Sequence, residues 1–267
     1  MDIEIGYNLR FNVPAPTPMH LLLHTLPNRY YQPQPEHLCI SPNTYAEMFF
    51  DAYGNRCSRL LAPAGEVSFV GSGVVQVDGH PDQENWNAEQ HPVLKLPYDV
   101  LPYLLASRYC EVDQMTEFAW KQFGNGPTGY ARARAIVNWV HNHVQFGYGF
   151  ARSTKTAYHA YSEKQGVCRD FAHLSITLCR CMGIPARYAT GYLGDIGIPY
   201  NPAPMDFSAW FEVYLGNMWY TLDARHNVPR IGRIVMAYGR DAADTALTTS
   251  FGPTTLTHFE VKTVQVR

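Results

Sequence analysis

Apolar and polar residues alternate with period two from Ile3 to Val13 in IEIGYNLRFNV, the pattern of a strand with one buried face. The runs MHLLLHTL and TYAEMFFDAY follow, each bounded by proline-rich or asparagine-containing loops. GEVSFVGSGVVQVDG adds one or two further strands. Gly54-Asn55 in DAYGNRCSRLLA lies between two strand-like runs and predicts a hairpin with a two-residue loop. Short strands at this spacing predict a small antiparallel β-sandwich over residues 1–85. The pattern then breaks. DGHPDQENWNAEQHPVLKLPYDVLPYLLASRYC is rich in Pro, Asn, Gln and His, has no clear period, and reads as a linker, residues 86–105, lying on the region that follows.

Helical spacing takes over in residues 106–267. DQMTEFAWKQF carries Met115, Phe118, Ala119 and Phe123 on one side, and the next segment does the same with Ala135, Ile136, Trp139, Val140 and Val144. The strongest helix begins at Cys168: Phe171, Leu174, Leu178 and Met182 form a stripe, Gly183 stands at the position of a left-handed C-terminal cap, and Pro185 blocks continuation. Strands return in ARYATGYLG, AWFEVYLG, MWYTLDA and LTHFEVKTVQV, with Gly216-Asn217 at a hairpin tip. Helices followed by an antiparallel sheet make the second region α+β.

Composition narrows the function. Hydrophobic residues make up 46% and charged residues 16%, the balance of a globular chain. A net charge of −2 without a Lys/Arg block argues against a nucleic-acid or acidic-membrane partner. No apolar run is long enough to span a bilayer, and the N-terminus lacks the basic head and apolar middle of a signal peptide. Six irregularly spaced cysteines do not suggest a disulfide framework, and reduced thiols in a cytoplasm fit this usage.

One of those cysteines stands apart. Cys168 lies at the first turn of the best-marked helix, where unpaired N–H groups and a partial positive charge favour a thiolate and can hold an oxyanion. Gly166 allows a sharp turn and leaves room for a substrate; Asp170 opposes ionisation and Arg169 partly offsets it. Cys39, Cys57, Cys110, Cys179 and Cys181 read as core residues. A nucleophilic cysteine needs a base and usually an orienting carboxylate, and Asp223, closing MWYTLD, suits the second role.

GVCRDFAHL, then GIPARYATGYL, then AWFEVYLGNMWYTLDAR resemble the bacterial transglutaminase-like superfamily over about residues 105–267. The β-rich first part looks like the region that often precedes this core. The resemblance implies a papain-like core, a Cys-His-Asp triad and amide chemistry on peptide or protein substrates through a thioester. It implies no cofactor and no metal. Cys168 matches the nucleophile and Asp223 the aspartate, but the family's histidine, directly before AW, is Ser208 in this chain. A serine hydroxyl is neither a base nor a cation near neutral pH.

Eleven histidines are present. His226, three residues beyond Asp223 in DARHN, is the first candidate base, on a loop that can fold back toward the sulfur. His173 points about 140° away from Cys168 on the same helix and reads as a packed residue, and the spacing of His141 and His143 puts them on different helix faces, unsuited to a metal. Trp210, Phe211, Trp219 and Tyr220 come from the sheet carrying the site, packing on the helix or lining a cleft. Three readings stay open: a cysteine protease, transglutaminase or amidase acting through Cys168, Asp223 and His226; a peptide-binding protein on an impaired site; and an assembly role for the β region.

Overall fold

A computed structural model of the chain describes residues 1–27, 31–33, 36–199 and 201–266. The first strands are β1 (Asp2–Val13), β2 (Thr17–Leu21), β3 (Tyr31–Pro33), β4 (His37–Ser41), β5 (Glu47–Phe50), β6 (Arg56–Ala62) and β7 (Gly65–Val77). Helices follow as α1 (Val112–Phe123), α2 (Gly129–His143), α3 (Ala157–Glu163) and α4 (Cys168–Cys181), with the short parallel pair β8 (Gln145–Phe146) and β9 (Gln165–Gly166) among them. The chain closes with β10 (Ala186–Tyr192), β11 (Ser208–Leu215), β12 (Met218–Leu222), β13 (Ile234–Gly239), β14 (Thr248–Ser250) and β15 (Thr255–Gln265). Mixed helices and antiparallel sheets make the fold α+β, as the sequence predicts. Among the described residues, no helix is long and apolar enough to cross a membrane.

Period-two alternation in β1 buries Ile3, Ile5, Tyr7, Leu9, Phe11 and Val13. They share one apolar cluster with Met19 and Leu21 of β2, Leu60 and Ala62 of β6, and Val67, Phe69 and Val75 of β7. Two antiparallel sheets meet there, one in the order β15-β1-β7-β3 with β4 also on β7, the other β14-β2-β6-β5. The hairpin loop at Gly54-Asn55 is longer than predicted. Phe50 pairs with Arg56, and Asp51 Oδ1 accepts from the N–H groups of Tyr53 and Asn55, so residues 51–55 form the turn.

β15 departs from expectation more widely. LTHFEVKTVQV, expected in the sheet of residues 106–267, pairs along β1 from Ile3↔Gln265 to Asn12↔Thr255, and β14 pairs with β2. The alternation of Val261 and Thr263 with exposed neighbours suits a half-buried strand, but it carries no information about which sheet receives it.

The sheet of the second region, β12-β11-β10-β13, packs α4 against one face. Its other face feeds Tyr192, Ile234 and Met236 into the core of the first region. β11 is therefore buried at every position rather than alternately. α4 is buried all round from Asp170 to Cys181, more completely than its stripe predicts. The segment around 86–105 lies on this region: Ala88 joins the helical core, the carbonyl of Ala88 accepts from Tyr130 N, and Leu96 and Val100 pack on Tyr214.

Candidate active site

Cys168 is the first residue of α4, after an extended N-cap at Val167. The cap uses Asp170, whose Oδ2 accepts the Val167 N–H at 2.9 Å. Gly166 makes room for that carboxylate rather than for a substrate: a Cβ there would stand 2.6 Å from Asp170 Cβ and 2.8 Å from Oδ2. Cys168 is half-buried and lines a cavity whose walls include Ser208, Arg225, His226 and, from the 193–206 stretch, Leu193, Asp195, Asn201, Met205 and Asp206. The cavity has a volume of about 70 Å³ and opens to solvent.

β12 delivers Asp223 to the same place. The next residues form a tight turn: Asn227 N donates to Asp223 O at 2.8 Å, and Asn227 takes a left-handed φ of 56°. α2 holds the turn from outside, with His141 Nδ1 on Ala224 O at 2.9 Å and Arg134 on Asn227. Folded this way, His226 Nδ1 donates to Asp223 Oδ2 at 2.7 Å. Asp223 Oδ1 accepts from the N–H groups of Arg225 and His226, and Oδ2 also takes Arg233 Nη2 at 3.0 Å. Burial works against the Asp223 carboxylate, but Arg233 and His226 outweigh it and hold its pKa far below the ordinary range. With Nδ1 committed to Asp223, the neutral imidazole leaves Nε2 as its proton acceptor.

The electrostatics of the sulfur correct the expectation of a thiolate favoured by the helix end. Burial pushes the Cys168 thiol up; Arg225 and the Ala209 N–H pull it down, while Asp206 and Asp223 add to the rise. Arg225 is held over the Phe146 ring, its guanidinium carbon 4.0 Å from the centroid.

Ser208 opens β11 opposite Gly191 and lines the cavity, so the position before AW does face the sulfur's surroundings. The imidazole on Asp223 comes instead from His226. His173 packs as predicted: fully buried, its Nε2 accepts from Ala242 N at 3.1 Å. Trp210, Phe211 and Tyr220 are core residues and Trp219 meets Tyr103 edge-on, and none of the four lines the Cys168 cavity. Cys57, Cys110, Cys179 and Cys181 are buried as expected, whereas Cys39 is exposed. Among the described residues no group of His, Cys, Asp and Glu is arranged to hold a metal. Sequence reasoning missed Arg233 and its partner Asp82, which stand 151 residues apart, a separation that no local motif records.

Residues 116–224 match the family model for the transglutaminase-like superfamily. A crystal structure from Cytophaga hutchinsonii, titled a "putative cysteine protease", is similar over 99% of this chain and 90% of its own, with a TM-score of 0.88 and 34% identity. An uncharacterized protein of Mycobacterium leprae is 24% identical over 217 residues, 77% of this chain and 75% of its own. The periplasmic domain of TgpA from Pseudomonas aeruginosa is 15% identical over 84% of this chain and 90% of that one, with a TM-score of 0.42. By its match to the family model and its identity to the Cytophaga protein over nearly its whole length, this chain belongs to the transglutaminase-like superfamily.

Proposed function

We propose that the chain is a cysteine enzyme acting on amide bonds of peptides or proteins, with Cys168 as nucleophile, His226 as base and Asp223 as the carboxylate that orients it. The observation that carries this reading is the 2.7 Å bond from His226 to Asp223, with that imidazole and Cys168 lining one cavity. His226 takes the thiol proton through Nε2 as Sγ bonds to the substrate carbonyl carbon. The C–N bond then breaks, and the leaving amine takes the proton back from the imidazolium. Water or a second amine attacks the acyl-thioester, releases the acid or new amide, and restores the thiol. The N–H groups of the first turn of α4 suit the developing oxyanion. A thiol pushed up by burial fits transfer of the proton during attack rather than a standing ion pair.

Ser208 and the raised Cys168 thiol favour a second reading, a peptide-binding protein on an impaired site. One experiment separates the two. A peptide library is incubated with hydroxylamine, which converts an acyl-thioester into a hydroxamate. Wild type is expected to yield hydroxamates, Cys168→Ala none, and His226→Ala about 100-fold less or lower still. Peptides retained equally by wild type and Cys168→Ala, with no hydroxamate from either, would establish binding alone. In wild type without peptide or hydroxylamine, iodoacetamide labelling of Cys168 is expected to rise with pH at a midpoint above the ordinary thiol value of about 8.5, because a raised pKa leaves less thiolate at any lower pH. A midpoint below that value would contradict the electrostatics described above.

A further inference from the structure

Behind the Asp223–His226 pair lies a second carboxylate. Arg233, immediately before β13, donates Nη2 to Asp223 and turns Nε toward Asp82, at 3.1 Å from Oδ1 and 2.9 Å from Oδ2. The guanidinium is almost fully buried and lies over the Trp210 ring at 4.9 Å. Asp82 is fixed in turn: its N–H donates to Arg230 O, and its Oδ2 accepts the Arg230 N–H at 2.9 Å. Asp82, Arg233, Asp223 and His226 thus form one continuous chain of charge-assisted hydrogen bonds. It runs from the segment after β7 into the Cys168 cavity.

We propose that Asp82 is a positioning residue for the site, acting through Arg233 on the Asp223–His226 pair; this rests on the reading of His226 as the base for Cys168. The planar guanidinium fork serves two carboxylates at once, which an ammonium cannot do with the same geometry. While Asp82 shares Arg233, part of that positive charge is balanced away from Asp223, and Asp223 keeps its hold on His226. Without the Asp82 charge, Arg233 is balanced by Asp223 alone. The carboxylate then supports an imidazolium less well, and the bond from His226 Nδ1 weakens.

Other charged and titratable groups surround the pair. The turn contributes Arg225, α4 contributes Cys168, and the 193–206 loop contributes Asp195 and Asp206. Arg230 and Tyr148 also line the cavity, and α2 brings Arg134 and His141, with Glu84 lying 3.9 Å from Arg134. All of them remain when Asp82 alone is changed.

The test compares Asp82→Asn with wild type in the full chain. Two quantities are read: the proton resonance of His226 Nδ1–H, and the pH profile of hydroxamate formation. Asp82→Asn is expected to move the resonance upfield and to shift the acid limb of the profile to lower pH by about half a unit to one unit. Asp82→Glu, which keeps the charge, is expected to restore both. If Asp82→Asn does not fold, Asp82→Ser removes the same charge with a smaller side chain. A folded neutral variant that forms hydroxamate with an unmoved resonance and profile overturns the proposal and leaves the base reading standing. Wild type that forms no hydroxamate dependent on His226 at any pH overturns the base reading, and the proposal with it.

Discussion

His173 shows what burial does to a titratable side chain when no carboxylate compensates. Its ring lies parallel to that of Tyr109 at 5.1 Å, and its Nε2 accepts from the backbone of Ala242. Burial, with Arg169 and Arg180 adding to it, holds its pKa well below the ordinary histidine value, so the folded chain keeps it neutral. The unfolded chain takes up a proton at this residue below about pH 6.5, and the folded chain does not. Stability contributed here is therefore present above that pH and falls as the pH drops below it, by about 1.4 kcal/mol per unit. His173→Asn retains an acceptor for Ala242 and is expected to flatten that part of the stability curve, measured by urea unfolding between about pH 6.5 and 5. An unchanged slope in the variant would mean that His173 is protonated in the folded state. Asp223 carries the opposite lesson: it is equally buried, yet Arg233 and His226 keep it ionised. The type of each residue was plain in the sequence, but the compensating partner was not.

The element that sets the site is the start of α4. Its end was readable: Gly183 takes a φ of 72°, and Ile184 N reaches back to Cys179 O at 2.9 Å, the cap that Gly183 and Pro185 predict. The hairpin between β11 and β12 was equally readable, because Gly216 and Asn217, with φ of 53° and 64°, fill a turn that only such residues adopt without strain. Both signals are local. The beginning of α4 is local too, but it was only half legible. Cys168 stands at the first turn as predicted, whereas the role of Gly166 depends on the direction of the Asp170 side chain, which spacing does not give. Gly166→Ala is expected to cost about 1–3 kcal/mol, since the new Cβ meets a buried carboxylate held by the Val167 N–H. Combining it with Asp170→Gly, which removes both the Cβ and the carboxylate that the new methyl would meet, should cost less than the sum of the two single changes, because both disturb one contact. Strict additivity in denaturant midpoints would show that the glycine serves something other than this cap.

For the molecule as a whole, the long-range partners decide how the cavity is built, and these were the least legible part. The strand character of β15 was clear from its alternation, yet its pairing with β1 spans nearly the entire chain. That pairing also reaches the site. Thr263 O lies 2.7 Å from where a Cβ on Gly194 would stand, so only a glycine lets the strand come so close to the root of the 193–206 loop. Thr263 N donates to Met205 Sδ at 3.3 Å, and Met205 itself lines the Cys168 cavity. The last strand therefore closes the first sheet and braces one wall of the cavity. Truncation after Gly252 removes both functions at once. It leaves β1 as an open edge and should lower stability by several kcal/mol, in line with the loss of a long paired strand and its buried Val261 and Thr263. In a truncated chain that still folds, amide exchange in residues 193–199 and 201–206 should quicken and iodoacetamide should reach Cys168 faster at a fixed pH. Exchange in that loop as slow as in the full chain would mean that the wall stands without β15, and that the C-terminal strand serves the first sheet alone.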